Sequence, residues 1–242
     1  MASIAATFCY YYIRRTIEQN IFNQMELAAD ELREHVKIFL KAKKDRIVDF
    51  STDGFIKNCT EKIVYGIDTS LATSRLNRHL IHNKKPVDEK NILEVFITDM
   101  DSKVISSTES SHVGQDASGD ICFSNGKRIS ISDLHYSPEY GQNTFEVAGL
   151  LTAKEVKRPI GIIVIRYRGD GLAGVTRSGI SNGLEKGRHL EGMGETGEVY
   201  IVNSEKLMIT ESRFIEGAVL KQVVDTEGVR AGFGNGSGMI GV

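Results

Sequence analysis

The sequence is poor in several residue types that mark whole classes of protein. It has no tryptophan, three prolines and three cysteines among 242 residues. The cysteines, Cys9, Cys59 and Cys122, are widely spaced and form neither a CxxC pair nor an evident disulfide framework. The charge is balanced, because 30 basic and 32 acidic residues give a net charge of −2. Nucleic-acid-binding proteins usually carry a basic surplus, so we expect no nucleic-acid partner.

Common catalytic signatures are missing from the sequence as well. It contains no GxSxG and no HExxH motif. The best enzymatic signal is Asp99-x-Asp101, which is similar to the nucleophile motif of haloacid-dehalogenase-type phosphatases. Lys103 stands where that family favours Thr or Val, and the later acidic pair that would bind magnesium is absent. We therefore expect no catalytic residues, no metal site and no cofactor, with a magnesium-dependent phosphatase that uses the two aspartates as the alternative.

The N-terminal residues are apolar over a short length. Residues 1–13 are followed by Arg14-Arg15 and are too few to span a bilayer, which takes about 20 residues. A frayed helix start is one interpretation. We favour the outer end of a truncated transmembrane helix, with Tyr10-Tyr11-Tyr12 in the interfacial aromatic belt. This places the chain at the cell membrane.

Residues 14–50 contain neither glycine nor proline and predict one long helix. Its apolar residues are spaced by three and four: Ile17, Ile21, Met25, Ala28, Leu32, Val36 and Phe39. Such a stripe packs either on its own domain or on a second copy of the chain, since two-helix seams use the same spacing. We expect this stalk helix to mediate a homodimer.

The middle of the chain predicts an antiparallel sheet. Residues 92–98 and 104–107 are rich in β-branched and aromatic residues and flank an Asp/Ser-rich turn, which is typical of a hairpin. Residues 144–150 alternate in polarity, and residues 159–167 form an apolar closing strand. Residues 134–142 read as a turn that carries two tyrosines. The fold class is therefore α+β, with helices on one face of the sheet.

Four segments carry a resemblance to a known family. Three of them resemble the membrane-distal half of a double Cache sensor module: "NILEVFITDMDSKVISST", "ISDLHYSPEYGQNTFEVAG" and "RPIGIIVIRYRGDGLAGV". The fourth, "GMGETGEVYIVNSEKLMITESRF", resembles the opening of its membrane-proximal half. Such PAS-like modules are extracytoplasmic input domains of histidine kinases and chemoreceptors. The resemblance implies a receptor input module, with a histidine kinase favoured over a chemoreceptor as the full-length protein.

The resemblance also implies a domain plan. Residues 1–13 would be the remnant of a transmembrane helix and residues 14–50 the stalk helix. Residues 51–178 would form the PAS-like distal sensor domain, and residues 179–242 the start of a proximal domain that is incomplete here. A ligand bound in the distal domain would then bias the conformation towards the membrane.

The expected ligand is a small molecule: an amino acid, an amine or a carboxylate. Polar and aromatic residues concentrate between residues 128 and 145 and after the closing strand, and a small-molecule site needs a few such groups in an apolar cavity. Arg128 suits a carboxylate, and Asp133 and Asp170 suit an ammonium group, whereas Tyr136 and Tyr140 offer rings with a hydroxyl. Amino-acid-binding members of the family also use a tryptophan, which this sequence lacks.

Overall fold

The computed structural model describes residues 2–119, 129–156, 158–172 and 197–235. Contacts divide the chain into two units. One unit comprises residues 39–171, and the other comprises residues 1–38 together with residues 172–242.

The longest element is a single helix, α1, over Ala2–Thr52. The predicted long helix is confirmed, and it continues without a break through the apolar residues that precede it. The absence of glycine and proline over this length explains its continuity. None of the described helices combines the length and the apolar character needed to cross a membrane.

Helix α1 ends where Asp53 begins the next helix. The Asp53 carboxylate accepts hydrogen bonds from the backbone N–H groups of Phe55 (2.8 Å) and Ile56 (3.1 Å), which is an N-cap for helix α2. Helix α2 covers Gly54–Val64 and helix α3 covers Thr69–His79. A π-helical turn, Leu80–Lys84, and a 3₁₀ turn, Lys85–Asp88, then lead into the sheet.

Six strands form one sheet in which every pair is antiparallel. The order is β2-β1-β6-β5-β3, and β4 also pairs with β5. The strands are β1 Ile92–Thr98, β2 Val104–Ser107, β3 Ile129–Ile131, β4 His135–Ser137, β5 Gln142–Thr152 and β6 Pro159–Arg168. The α+β class is therefore confirmed. The turn predicted for residues 134–142 is wrong in part, because His135–Ser137 is a strand that forms a tight hairpin with the start of β5.

One face of the sheet packs against the second half of α1. The Phe145 ring lies 6.0 Å from Phe39 and stacks on Tyr167 at 5.2 Å between ring centroids. Helix and sheet approach closely at Gly149, where an added Cβ would lie 2.8 Å from the side chain of Ile47. A glycine at this position lets the helix lie directly on the strand.

The opposite face is apolar at one end and charged at the other. Its apolar part is the cluster of Phe96, Val104, Ala117, Ala148, Ile162 and Val164, which are all buried. Residues that pair across neighbouring antiparallel strands share a face, so the pairings of Glu94 with Arg166 and of Arg166 with Glu146 place these three charges on this side.

In the other unit, the described residues after 196 pack around Met208, Ala218 and Val224. The strands predicted at residues 198–202 and 207–210 are not regular strands, and only isolated bridges join Val202 to Met208 and Leu207 to Val223. A final helix, α4, covers Glu227–Asn235.

Candidate functional site

The candidate site is a cluster of buried charges, formed by Glu94, Glu146 and Arg166, that crosses the three central strands and is called the charge cluster below. Arg166 on β6 lies between Glu94 on β1 and Glu146 on β5. Its Nη1 is 3.0 Å from Glu94 Oε2, and its Nε is 3.0 Å from Glu146 Oε1. The side chain of Arg166 is 5% exposed, whereas those of Glu94 and Glu146 are 1% and 3% exposed. Buried charges of this kind persist only when they are paired and hydrogen-bonded.

Glu94 is the centre of this hydrogen-bond network. Besides Arg166, its carboxylate accepts hydrogen bonds from Ser107 Oγ at 2.6 Å and Tyr140 Oη at 3.0 Å, and it lies 2.8 Å from His112 Nδ1. These partners come from β2, from the 3₁₀ turn Ser110–His112 and from the β4–β5 turn. The carboxylate therefore ties two covering segments to the sheet.

Arg166 is also held by aromatic rings. Its guanidinium carbon lies 5.5 Å from the Phe96 ring centroid and 5.3 Å from that of Tyr140, within cation–π range. The same guanidinium lies 3.5 Å from Glu139, whose side chain is half exposed at the rim of the cluster. Burial beside the Glu94 carboxylate raises the pKa of Tyr140 well above its ordinary value, so Tyr140 acts as a hydrogen-bond donor.

His112 bridges two carboxylates. Its Nδ1 lies 2.8 Å from Glu94 Oε1, and its Nε2 lies 2.5 Å from Glu139 Oε1. Burial disfavours the charged imidazolium, but the hydrogen bond and charge of Glu94, assisted by Glu139, outweigh burial and raise the pKa of His112 above its ordinary value. Because the folded state favours the proton, this bridge stabilises the fold fully below the unfolded pKa of His112 and loses that stabilisation as the pH rises through the folded pKa.

Glu146 has partners of its own on the edge strands. Ser132 Oγ donates to Glu146 Oε2 at 2.9 Å, and His135 Nε2 lies 3.7 Å from Glu146 Oε1. The described cluster contains three carboxylates, from Glu94, Glu139 and Glu146, and one guanidinium. With His112 protonated, the formal charge of this set is −3 + 2 = −1.

The five residues predicted to bind a ligand are dispersed. Tyr140 belongs to the charge cluster through its bond to Glu94. Asp133 is exposed just before β4, Tyr136 is exposed within β4, and Asp170 is exposed just after β6. Arg128 lies outside the described residues. A role in ligand binding stays a prediction for all five.

The residues that sequence reasoning missed are those inside strands. Glu94, Glu146 and Arg166 lie within otherwise apolar runs that the sequence assigns to a buried sheet. A charged side chain is rarely buried without a partner, so three such residues in central strands were a usable signal for a paired cluster.

Asp99 and Asp101, the aspartates of the phosphatase alternative, lie in the turn between β1 and β2. Asp99 Oδ1 accepts the backbone N–H groups of Asp101 and Lys103, both at 2.9 Å. Ser102 in the same turn has φ +67°, in the left-handed region. The Asp99 carboxylate thus closes a tight turn, which accounts for an aspartate here without any catalytic role.

The chain is similar to solved structures of other proteins, whereas no protein-family model and no curated protein sequence matches it. The sensor domain of the Vibrio cholerae histidine kinase DctB aligns with a TM-score of 0.50 at 15% identity, over 66% of this chain and 60% of that one. The chain thus spans less than two thirds of that relative.

Two chemoreceptor domains align at lower scores. The Pseudomonas fluorescens CtaA domain, solved with L-isoleucine, has a TM-score of 0.46 at 13% identity over 86% of this chain and 74% of that one. The Pseudomonas aeruginosa PctB domain, solved with L-Arg, has a TM-score of 0.43 at 13% identity over 77% and 68%. The fold of this chain is therefore similar to that of the DctB sensor domain.

Proposed function

We propose that this chain is the extracytoplasmic ligand-sensing module of a transmembrane receptor, with a sensor histidine kinase favoured over a chemoreceptor. The observation that carries the proposal is the charge cluster around Glu94 and Arg166. It lies on the sheet face opposite α1, and it is covered by side chains from two separate segments. A site of this kind can couple a ligand to the positions of its covering segments.

The ligand is a small molecule that carries an ammonium group, such as an amino acid or an amine. The described cluster retains an excess of negative charge, and the half-exposed Glu139 presents that charge at the rim. Tyr136 is 58% exposed nearby on β4 and offers a ring for the apolar part of the ligand. A carboxylate on the ligand would pair with Arg128, as the sequence predicts.

The signal passes from the sheet to α1. A ligand that pairs with Glu139 breaks the contacts of Glu139 with His112 and Arg166, and so changes how the 3₁₀ turn Ser110–His112 and the β4–β5 turn are held on the sheet. The sheet transmits this change to the helix that packs on its other face. A ligand shifts such an equilibrium only by its difference in affinity between the two states. Continuation of α1 into a membrane anchor and pairing of α1 in a homodimer complete this mechanism.

A thermal-shift screen tests the proposal. The probes are the twenty amino acids, linear diamines and small dicarboxylates, since a compound that binds only the folded state stabilises it by about 2.7 kcal/mol at a hundred times its Kd. We expect an ammonium-bearing compound to raise the melting temperature. Glu139→Gln should abolish that rise, and the exposed Glu155→Gln, in the β5–β6 turn, should preserve it.

Two results would contradict the proposal. One is the absence of any stabilising compound among the amines and amino acids. The other is an equal response of the Glu139→Gln and Glu155→Gln variants, which would place the binding site away from the charge cluster.

A further inference from the structure

A second concave site lies between helices α2 and α3, apart from the charge cluster of the sheet. Its volume is about 400 Å³, which falls within the range of small-molecule pockets. The lining combines side chains of both helices with Lys154 from the β5–β6 turn.

Three cations from three different elements surround this groove. Lys62 comes from the last turn of α2, Arg75 from α3 and Lys154 from the β5–β6 turn. Among the described residues, none of the three side chains has a carboxylate within ion-pair distance. Lys84, by contrast, lies on the same helical segment as α3 and contacts Asp53 Oδ2 at 2.8 Å.

Negative charge near the groove does not cancel these cations. Asp68 is the acidic residue of the lining, so the lining has a formal charge of +3 − 1 = +2. The Glu61 carboxylate accepts the backbone N–H of Lys154 at 3.0 Å, and a positive surplus of +2 − 1 = +1 remains when its charge is counted with the lining. A positive surplus in a concave site attracts an anion.

The remaining wall is apolar. Phe55, Leu71 and Ala72 line it, and the guanidinium carbon of Arg75 lies 5.6 Å from the Phe55 ring centroid. The ring therefore supports the guanidinium from one side and leaves its donors available to a ligand. The wall suits a ligand that has a small apolar body.

We propose that the groove between α2 and α3 binds a small organic anion that carries a phosphate or carboxylate group on an apolar body. Arg75 provides the bidentate contact to the anionic group, and Lys62 and Lys154 add charge on either side. The apolar body packs against Phe55 and Leu71. This site is independent of the ligand site proposed on the sheet.

Cys59 provides a reporter inside the groove. It lines the cavity and is 5% exposed. Burial raises the pKa of its thiol, so the thiol reacts slowly with alkylating reagents. A ligand in the groove covers Cys59 and slows the reaction further, whereas the exposed Cys9 gives an internal reference.

Calorimetric titration of the whole chain with phenyl phosphate tests the proposal. We expect saturable binding of phenyl phosphate, weaker binding of inorganic phosphate and no binding of benzyl alcohol. Arg75→Gln and Lys154→Gln should each weaken phenyl phosphate about tenfold, the loss expected for a charge-assisted hydrogen bond. The control is Arg78→Gln, an exposed arginine one turn along α3 that does not line the groove and should bind as the parent does.

Peptide-level mass spectrometry of alkylated cysteines gives the second readout. Phenyl phosphate should slow alkylation of Cys59 but not of Cys9, and this protection should be lost in Arg75→Gln. The proposal is wrong if phenyl phosphate shows no saturable binding, if benzyl alcohol binds equally well, or if Arg75→Gln and Arg78→Gln behave alike. Tighter binding of inorganic phosphate than of phenyl phosphate would refute the proposed contact of the ligand's apolar body with Phe55 and Leu71.

Discussion

Replacing Arg166 by methionine is the sharpest test of the charge cluster. Methionine keeps much of the length of the side chain but removes the only guanidinium that joins Glu94 to Glu146 across the described sheet. Both carboxylates stay buried without their guanidinium partner, and His112 is the charged partner that Glu94 keeps. Removing one partner of a buried pair costs roughly 3–5 kcal/mol of folding stability. A domain is stable by only about 5–15 kcal/mol, so the effect should be severe.

Arg168→Met provides a matched control two residues along the same strand. Arg168 is partly buried and donates one hydrogen bond, from Nη1 to Gln142 Oε1 at 3.1 Å. Its loss should cost about 1 kcal/mol. Native-state hydrogen exchange of the β5 and β6 amides measures the opening free energy of this unit by itself. We expect Arg166→Met to lower that free energy by at least 2 kcal/mol more than Arg168→Met does.

Equal losses of opening free energy in Arg166→Met and Arg168→Met would refute the view that the buried charges of Glu94, Arg166 and Glu146 depend on one another.

Three further predictions concern other parts of the chain. The unfolding free energy of the parent should fall as the pH rises through the folded pKa of His112, and it should fall less steeply in His112→Gln. Equal slopes of unfolding free energy against pH in the two proteins would contradict the bridge. Replacing Ile21 and Met25 by lysine should convert a dimer to a monomer in sedimentation velocity, and a parent already monomeric at high concentration would disprove the seam. Gly161→Ala should cost about 1–3 kcal/mol in urea unfolding, because the new Cβ clashes with the Thr98 carbonyl oxygen, and an unchanged midpoint would contradict this close approach.

The sequence predicted the regular elements where their patterns are long. The long helix and the strands at residues 92–98, 104–107 and 159–167 follow from periodicity and from β-branched composition, and the structure confirms them. Strand β4 was missed because three residues are too few to show alternation. The strands predicted after residue 197 did not form a ladder, since a strand pattern alone does not provide the neighbour that a strand needs.

The site was harder to predict because it depends on register. Glu94 and Arg166 are 72 residues apart, and no local pattern tells which residue of β6 lies opposite Glu94. Sequence reasoning therefore favoured the polar segment after residue 128, where Tyr140 is the one predicted ligand-binding residue that the described structure places in the cluster. Glu94, Glu146 and Arg166 were assigned only to a buried sheet, and their charges were not considered as a site.

The charge cluster in turn specifies the register of the central strands. A slip of one residue between β1 and β6 would move every side chain of the slipped strand to the other face. Glu94 would then lie against the apolar surface that packs on α1, where Phe145 and Tyr167 are stacked. Arg166 pairs with both glutamates only in the observed register, so a slipped sheet would contain unpaired buried charges, each of which is strongly unfavourable. Apolar residues in place of Glu94, Glu146 and Arg166 would not distinguish the observed register from a slipped one in this way. They would also leave Tyr140 and His112 without the carboxylate that holds their segments on the sheet.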